Sequence, residues 1–344
     1  MGCALGGALL RPYGEIMKDA KRWLPGVIIS ILLIAAILYF VDLKRLVEAI
    51  RNANYWLLAL STVMGIIWLG IRTVTWRTIL QEKASLKDTF LVLCEGYFLN
   101  NVLPFRLGEL GRAFLLGRRA NLRFMQVLPT IILERAFDLA FSAAILLSAL
   151  PFVINTSGAE SISVIVGIVV FIGFLALYIL ARNRDWAIAQ LHRLPWLEKV
   201  GGHVFPPFFD GLSILTDGWR FLRTLGLMAF NWSWAIIQFY ITIKAFFPAA
   251  QLPWALFGLG AAAFGGAVPS APGAVGTYEA ALGGALTIVT SDEARSIAVA
   301  ITAHLLNYLV TLVLGIYALS TEGETLSGLY HELINLRTRN ETTE

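Results

Sequence analysis

The chain has 344 residues, of which 57% are hydrophobic and only 15% are charged. Soluble domains carry about 25% charged residues, and several apolar runs in this chain are long enough to cross a bilayer. The net charge of +4 is ordinary for a membrane protein, whose cytoplasmic loops collect Lys and Arg, and it gives no reason to expect a nucleic-acid partner. Two cysteines cannot frame a disulfide scaffold or a zinc site. The composition therefore predicts an all-α polytopic membrane protein without a metal or another cofactor.

The first half of the chain contains three apolar segments that are predicted to span the membrane. Residues 1–23 form a short basic arm, which we expect on the cytoplasmic surface. The predicted membrane repeat 24–150 contains a span at 24–41, an amphipathic segment at 42–54, a span at 55–75, a re-entrant motif at 86–121 and a span at 122–150. Trp56 and Trp76 are predicted to anchor the second span at the two membrane interfaces.

The second half repeats this order over residues 151–320. It contains a loop without Lys or Arg at 151–160, a span at 161–181, a basic loop with amphipathic pieces at 182–220, a span at 221–247, a re-entrant motif at 252–290 and a span at 296–319. Residues 321–344 form a polar tail. The positions of Lys and Arg predict that both termini are cytoplasmic in a bacterial inner membrane. The segment 42–54 argues against this topology, because its basic residues would lie outside.

The predicted architecture is therefore about six full transmembrane helices plus two re-entrant broken-helix hairpins. Each half has three full spans, which is an odd number, so the second half is inverted relative to the first. Inverted repeats whose broken helices meet near the midplane are typical of transporters. The alternative is a bundle that is kinked by Gly and Pro and has no role in transport.

The first broken motif reads NNVLPFRLGELGRAFLLGRR and covers residues 100–119. It begins with the amides Asn100 and Asn101. Three residues are predicted to interrupt any helix here, namely Pro104, Gly108 and Gly111. Three charged residues fall where hydrocarbon is expected, namely Arg106, Glu109 and Arg112. Broken backbone and charges at membrane depth are tolerated where protein or a water-filled cavity surrounds them, so this motif is a candidate functional site.

The second broken motif, GGAVPSAPGAVGTYE at 265–279, shares the pattern P-x-x-x-G-x-x-G with the first. Aligning Pro104 with Pro269 places Gly108 on Gly273 and Gly111 on Gly276. The motif also contains Pro272 and Tyr278, and its last residue is Glu279. The order of the predicted spans around both motifs supports an internal repeat.

Three charged residues lie within one turn of the span at 122–150, namely Glu134, Arg135 and Asp138. They occupy one side of a helix, where Arg135 and Asp138 can pair at i, i+3 while Glu134 and Asp138 repel at i, i+4. Because an unpaired charge at the centre of a span costs about 2.5–3.5 kcal/mol, this side must face a polar interior. The trio is net negative, so Arg106 or Arg112 is the expected partner. A buried ion cluster that only clamps the hairpin to this span is an equally supported alternative.

The arginines and glycines of the two motifs suggest an anion site. The guanidinium groups of Arg106 and Arg112 match phosphate bidentately, and the backbone N–H groups at a half-helix start favour an anion. Snorkelling to the interface is the alternative for these arginines. Glu279 could pair with an Arg of the first motif or take up a proton, and its alternative role is to offset the helix dipole.

The stretches N-N-V-L-P-F-R-L-G-E-L-G-R and P-S-A-P-G-A-V-G-T-Y-E-A-A resemble the two signatures of the lysylphosphatidylglycerol synthase transmembrane-region family, also called flippase-like. The resemblance covers about residues 24–320. It implies that seven residues line a central cavity, namely Arg106, Glu109, Arg112, Glu134, Arg135, Asp138 and Glu279. Some members flip aminoacylated phosphatidylglycerol, and others are stand-alone proteins of hopanoid, polyprenyl or glycolipid pathways. This chain lacks the soluble aminoacyl-transferase domain of the bifunctional members, so lysyl-lipid synthesis is not expected and the lipid stays open.

The leading hypothesis is a lipid flippase-like transporter rather than an enzyme, since the chain contains no H-E-x-x-H, G-x-S-x-G or P-loop motif. Its expected partners are membrane lipids of the anionic, aminoacylated or polyprenyl-phosphate type. Two alternatives stand beside it: an intramembrane transferase that acts on a lipid-linked substrate, and a non-catalytic partner of a membrane lipid synthase. A homo-oligomer is compatible with all three hypotheses.

Overall fold

The structure is a computed structural model that describes residues 31–103 except positions 36, 38 and 40, then 107–153, isolated positions between 164 and 186, 216–268 and 270–321. Several predictions lie outside these residues and are not described further. They concern the arm 1–23, the start of the first span, most of the region 151–215, the tail after Thr321, and the residues Pro104, Arg106 and Pro269.

Five α-helices of the first half have described bounds, which follow the predicted segments closely, and residues 31–35 before them are also helical. The five helices are α1 Leu43–Arg51, α2 Tyr55–Ile79, α3 Leu86–Val102, α4 Leu107–Arg119 and α5 Phe124–Val153. Helix α1 is the predicted amphipathic segment. Helix α2 continues beyond the predicted span end at residue 75, and the first motif is divided between α3, which ends at Val102, and α4, which begins at Leu107.

Four α-helices form the described second half, and they are α6 Gly218–Lys244, α7 Leu252–Ala267, α8 Thr277–Thr290 and α9 Glu293–Ser320. A short 3₁₀ turn, Pro272–Ala274, lies in the break between α7 and α8. Five helices begin at a side chain whose oxygen accepts a first-turn N–H, and these N-caps are Asp42, Asn54, Ser85, Asp217 and Asp292. The described residues contain no β-strand, so the predicted all-α class is confirmed.

Two of the described helices, α2 and α9, are long and apolar enough to cross a membrane. Helix α5 has 30 residues, which exceeds the length of about 20 that a span needs, but it carries the charged trio. Many large apolar side chains on these helices face outward, for example Ile66 on α2, Ile132 on α5 and Val313 on α9. Such outward apolar surface suits a lipid environment.

Helices α3 and α4 fold back on each other around the first break, and α7 and α8 do so around the second. The three strongest contacts between the halves join α2 to α6, α3 to α9 and α5 to α7. Among the described residues, two large apolar clusters form most of the core, beside smaller ones. One includes Ile243, Leu282 and Val299 from the second half, and the other includes Leu93 and Leu116 from the first.

The glycines of the two motifs have different structural roles, which corrects their predicted equivalence. Gly108 and Gly111 were predicted to interrupt a helix, but both lie inside α4. A Cβ at Gly108 would overlap the carbonyl oxygen of Gly96 in α3, so glycine here permits close approach of two helices. Gly273 and Gly276 lie in the second break with φ of 67° and 90°, a backbone conformation that glycine adopts without steric cost.

Candidate functional site

Glu134 of α5 receives two arginines from different helices. Arg112 of α4 donates from Nη2 to Glu134 Oε2 at 2.8 Å and from Nη1 to Oε1 at 3.3 Å. Arg72 of α2 reaches Glu134 Oε1 from Nη2 at 2.6 Å. The predicted pairing of Arg112 with the acidic trio is therefore present, and Glu134 is shared with a third helix.

Asp138 continues the network one helical turn along α5. Arg72 donates from Nη1 to Asp138 Oδ1 at 2.7 Å and from Nη2 to Oδ2. Arg135 donates to Asp138 Oδ2 at 3.0 Å, as the i, i+3 spacing predicts, and its Nη2 lies 2.7 Å from Glu109 Oε1. Three arginines and three acids thus form one network, here called the ionic cluster: Arg72, Glu109, Arg112, Glu134, Arg135 and Asp138.

The exposure of the side chains increases from one end of the ionic cluster to the other. The side chains of Arg112 and Glu134 are completely buried, whereas those of Glu109 and Asp138 are 16% and 17% exposed and that of Arg135 is 31% exposed. Burying charges costs several kcal/mol per ion unless each is paired with good geometry, and the network supplies this pairing. Arg135 is therefore the cation of the cluster that a ligand reaches first.

Trp76 packs against the buried end of the ionic cluster. The guanidinium carbon of Arg112 lies 4.0 Å from the centroid of the Trp76 ring, a cation–π contact, and the indole N–H donates to the Thr130 hydroxyl at 3.2 Å. Trp76 is completely buried, so the prediction that it anchors the second span at an interface is wrong. Trp76 is buried because its ring packs against the buried guanidinium of Arg112.

A second ion pair holds the hairpin of α3 and α4 together. Arg119 near the end of α4 donates to Glu95 Oε1 of α3 at 2.6 Å. Asn100 of α3 donates to Glu109 Oε1 at 3.4 Å, and Asn101 donates to the Thr311 hydroxyl of α9 at 2.7 Å. The amide doublet therefore links the first break to the ionic cluster and to the last helix.

Glu279 stands at the start of α8 and serves two partners. Its Oε2 accepts the Gly276 N–H at 2.7 Å, which satisfies an otherwise unpaired group of the helix N-terminus. Its Oε1 lies 2.5 Å from His304 Nδ1 of α9. The rings of Tyr278 and Tyr308 flank His304, with centroids 4.3 and 4.7 Å away. In the described part of the chain, the side chain that Glu279 contacts is thus a histidine and not an arginine of the first motif.

A cavity of 740 Å³ lies between the two halves, and helices of both halves line it. Of the seven residues that the resemblance assigns to a central cavity, three line this one, namely Glu109, Arg135 and Asp138. Arg112, Glu134 and Glu279 lie behind the lining residues, and Arg106 is outside the described residues. Several motif residues also line the cavity, namely Asn100, Asn101, Gly273 and Tyr278.

Arg72 is the cluster member that the sequence interpretation missed. It lies in the middle of an apolar span, and its side chain is 2% exposed while it holds both Glu134 and Asp138. The signal was available, because Arg72 is the one charged residue between Tyr55 and Trp76, and a lone intramembrane charge marks a functional or paired position. The predicted trio on α5 and Glu109 together have net charge −2, so they called for a second cation beside Arg112.

Comparison with known proteins agrees with the sequence signatures. The profile described as the lysylphosphatidylglycerol synthase TM region matches residues 23–315. The glycosyltransferase AglD of Haloferax volcanii is 22% identical over 97% of this chain and 61% of its own length, so this chain spans less than two thirds of that relative. No solved structure matches the chain.

Two relatives that are named membrane proteins match as well. A UPF0104 membrane protein of Methanothermobacter thermautotrophicus is 22% identical over 90% of this chain and 96% of its own length. Another, from Methanocaldococcus jannaschii, is 29% identical over 33% of this chain and 35% of its own length. Together with the apolar helices, the profile match over most of the chain identifies this protein as a membrane protein of the lysylphosphatidylglycerol synthase transmembrane-region family.

Proposed function

We propose that the protein is a lipid flippase-like transporter that moves a phospholipid or a lipid-linked headgroup between leaflets. The observation that carries the proposal is the 740 Å³ cavity, which both broken motifs and the accessible side of the ionic cluster line. A cavity that presents charged and amide side chains inside an otherwise apolar helix bundle offers a headgroup a route while its tails stay in hydrocarbon. Broken helices that meet at such a site are typical of transporters.

The positions that line the cavity support an inverted repeat. On α2 they are Ser61, Thr62, Gly65, Trp68, Leu69 and Arg72, and on α6 they are Asn231, Trp232, Ala235, Gln238, Phe239 and Thr242. Both sets follow the spacing i, i+1, i+4, i+7, i+8, i+11, so the two helices present the same face to the cavity. The contact of α3 with α9 is matched by that of α7 with α5, as a two-fold relation between the halves requires. In this proposal the two hairpins are re-entrant, and both termini are cytoplasmic in a bacterial inner membrane.

Each side of the ionic cluster has its own part in the proposal. Arg135 contacts the lipid phosphate, because it is the accessible cation and its Nε donates to nothing in the described part of the chain. Arg112 and Glu134 lack accessible surface, so they position the cluster and do not touch the lipid.

Reconstitution tests the proposal directly. Purified protein is placed in liposomes with lipids that carry a fluorophore quenched by dithionite, and the fraction of outer-leaflet signal reports exchange between leaflets. We expect exchange with at least one phosphate-containing lipid, and at least a tenfold slower rate for Arg135→Gln. The matched control is Arg220→Gln, which removes an exposed arginine at the start of α6, away from the cavity.

Two results would overturn this function. The first is that no lipid exchanges, although a cooperative thermal unfolding transition shows that the protein is folded. The second is an unchanged exchange rate for Arg135→Gln, which would show that the accessible cation of the cluster has no part in transport.

A second candidate is a transferase that acts on a lipid-linked substrate. One observation favours it, namely that a relative matching 97% of this chain is named a glycosyltransferase. The same liposomes discriminate the two functions when a sugar donor is supplied. Release of a modified lipid that mass spectrometry detects, without leaflet exchange, would favour the transferase.

A further inference from the structure

The two sides of the cavity differ in charge although α2 and α6 present the same face to it. The position of Arg72 on α2 corresponds by this spacing to Thr242 on α6, and that of Trp68 corresponds to Gln238. The charged side chains that line the described cavity are Arg72, Glu109, Arg135 and Asp138, apart from the titratable His304. Two positive and two negative charges balance, and all four belong to the ionic cluster. The net charge of the lining therefore selects neither a cationic nor an anionic headgroup, and any preference must come from individual side chains such as Arg135.

The second-half side is built from amides and aromatic rings. Five of its lining residues are here called the amide–aromatic wall: Asn231, Trp232, Gln238, Tyr278 and Asn307. Gly65 on α2 provides space for this wall, since a Cβ there would lie 2.9 Å from Nε2 of Gln238. The wall adjoins the ionic cluster, because Arg72 Nη1 lies 3.5 Å from Asn231 Oδ1.

Polar atoms without partners gather around the cavity. Among the described residues, four neutral buried atoms that accept or donate nothing belong to cavity-lining side chains: Trp68 Nε1, Asn100 Oδ1, Asn231 Nδ2 and Trp232 Nε1. Asn231 itself is 1% exposed. Native proteins pair almost all buried polar groups, so such a concentration at one cavity indicates groups that a ligand satisfies after small side-chain adjustments.

We propose that the cavity selects a headgroup with two parts, a phosphate held at Arg135 and an uncharged hydroxyl-rich part, such as a sugar or cyclitol, held by the amide–aromatic wall. This inference rests on the proposed function. A hydroxyl both donates and accepts hydrogen bonds, and a carboxamide does the same, whereas an ammonium group only donates. Aromatic side chains add apolar faces with a polar edge. The wall therefore suits hydroxyl groups better than the amine of an aminoacylated lipid.

The test compares the rates at which four acyl-labelled lipids exchange between leaflets of liposomes that contain the full-length protein. Phosphatidylinositol carries the phosphate and a hydroxyl-rich ring, and phosphatidylserine has the same net charge without that ring. Lysyl-phosphatidylglycerol is cationic, and a diglucosyl diacylglycerol has sugars without a phosphate. We expect phosphatidylinositol to exchange at least tenfold faster than the other three lipids.

A variant pair connects the preference to the wall. Gln238→Leu keeps the approximate side-chain size and removes the carboxamide, so the ratio of phosphatidylinositol to phosphatidylserine exchange is expected to fall at least fivefold. The control is Gln251→Leu, which removes an exposed carboxamide that does not line the cavity and makes no cap hydrogen bond, and its ratio is expected to equal that of the unaltered protein.

The outcomes separate this inference from the proposed function. Faster exchange of lysyl-phosphatidylglycerol, equal rates for phosphatidylinositol and phosphatidylserine, or an unaltered ratio in Gln238→Leu would overturn the two-part headgroup while transport stands. Absence of exchange for all four lipids would overturn both.

Discussion

Arg72 and Glu134 form an ion pair of 2.6 Å between α2 and α5, and neither side chain is more than 2% exposed. Removing either partner would therefore leave the other charge buried without a full set of partners. Because Glu134 also accepts from Arg112 and Arg72 also donates to Asp138, the pair joins α2, α4 and α5 in one network. The position of the accessible Arg135 depends on this buried part, because Asp138 accepts hydrogen bonds from both Arg72 and Arg135.

Replacing Arg72 by Met is expected to destabilise the protein by about 3–5 kcal/mol, the usual effect of removing one partner of a buried pair. The change leaves Asp138 with Arg135 alone and removes one of the two arginines of Glu134. The free energy of unfolding in a detergent titration measures the effect. The matched change is Arg223→Met, which removes an exposed pair with Glu82 and should alter stability by less than about 1 kcal/mol. Equal effects of the two variants would contradict a structural role for Arg72.

Arg112 and Glu134 are expected to be energetically coupled. Each single change, Arg112→Met or Glu134→Leu, leaves an opposite charge buried without its full set of partners, whereas the double change removes both charges. The double variant should therefore lose about 0.5–3 kcal/mol less than the two single losses together. The measurement is a double-mutant cycle, in which unfolding free energies are compared for the unaltered protein, the two single variants and the double variant. Additive losses would show that Arg112 and Glu134 act independently, despite the 2.8 Å contact.

Within the described residues, the sequence was sufficient for the helix positions and for much of the ionic cluster. Long apolar runs and Gly/Pro breaks predicted the order of helices, because each signal is local and strong. Charge balance within neighbouring segments predicted that Arg106 or Arg112 pairs with the trio on α5, and Arg112 does so. Arg72 was not identified, since its partners lie 62 and 66 positions away in the chain, and a sequence gives no direct measure of such a distance.

The repeated motif shows a different limit of sequence interpretation. The pattern P-x-x-x-G-x-x-G pairs Gly108 with Gly273, yet Gly108 lies inside α4 and Gly273 lies in a 3₁₀ turn with positive φ. The acids correspond better, because Glu109 and Glu279 are each the third residue of the helix after the break. The segment between α7 and α8 is longer than the segment between α3 and α4. An alignment of the two motifs without gaps therefore paired residues whose backbone roles differ.

Glu279 is expected to stabilise α8 mainly as a cap. Glu279→Gln retains an acceptor for the Gly276 N–H, and Gln serves at this position of a capping box. Glu279→Leu removes the acceptor and should cost about 0.5–2 kcal/mol, the range for loss of an N-cap bond, in addition to the contact with His304. The measurement is the difference in unfolding free energy between the Leu and Gln variants. A Gln variant as unstable as the Leu variant would show that the ionic contact with His304, and not the cap, is what Glu279 contributes.

Gly108 is expected to tolerate no side chain, because it sets the distance between α3 and α4. A Cβ at this position would overlap the Gly96 carbonyl oxygen and lie 2.6 Å from Asn100 Oδ1, and neither neighbour can move without disturbing the helix break. Gly108→Ala should therefore cost about 1–3 kcal/mol, as overpacking usually does. Gly284→Ala is the control, since no atom lies within 4 Å of a Cβ there and alanine favours the helix by about 1 kcal/mol. Thermal unfolding of the two variants should shift in opposite directions. A shift in the same direction for both would mean that α3 and α4 separate at low cost, and the hairpin would not hold Glu109 and Arg112 in fixed positions.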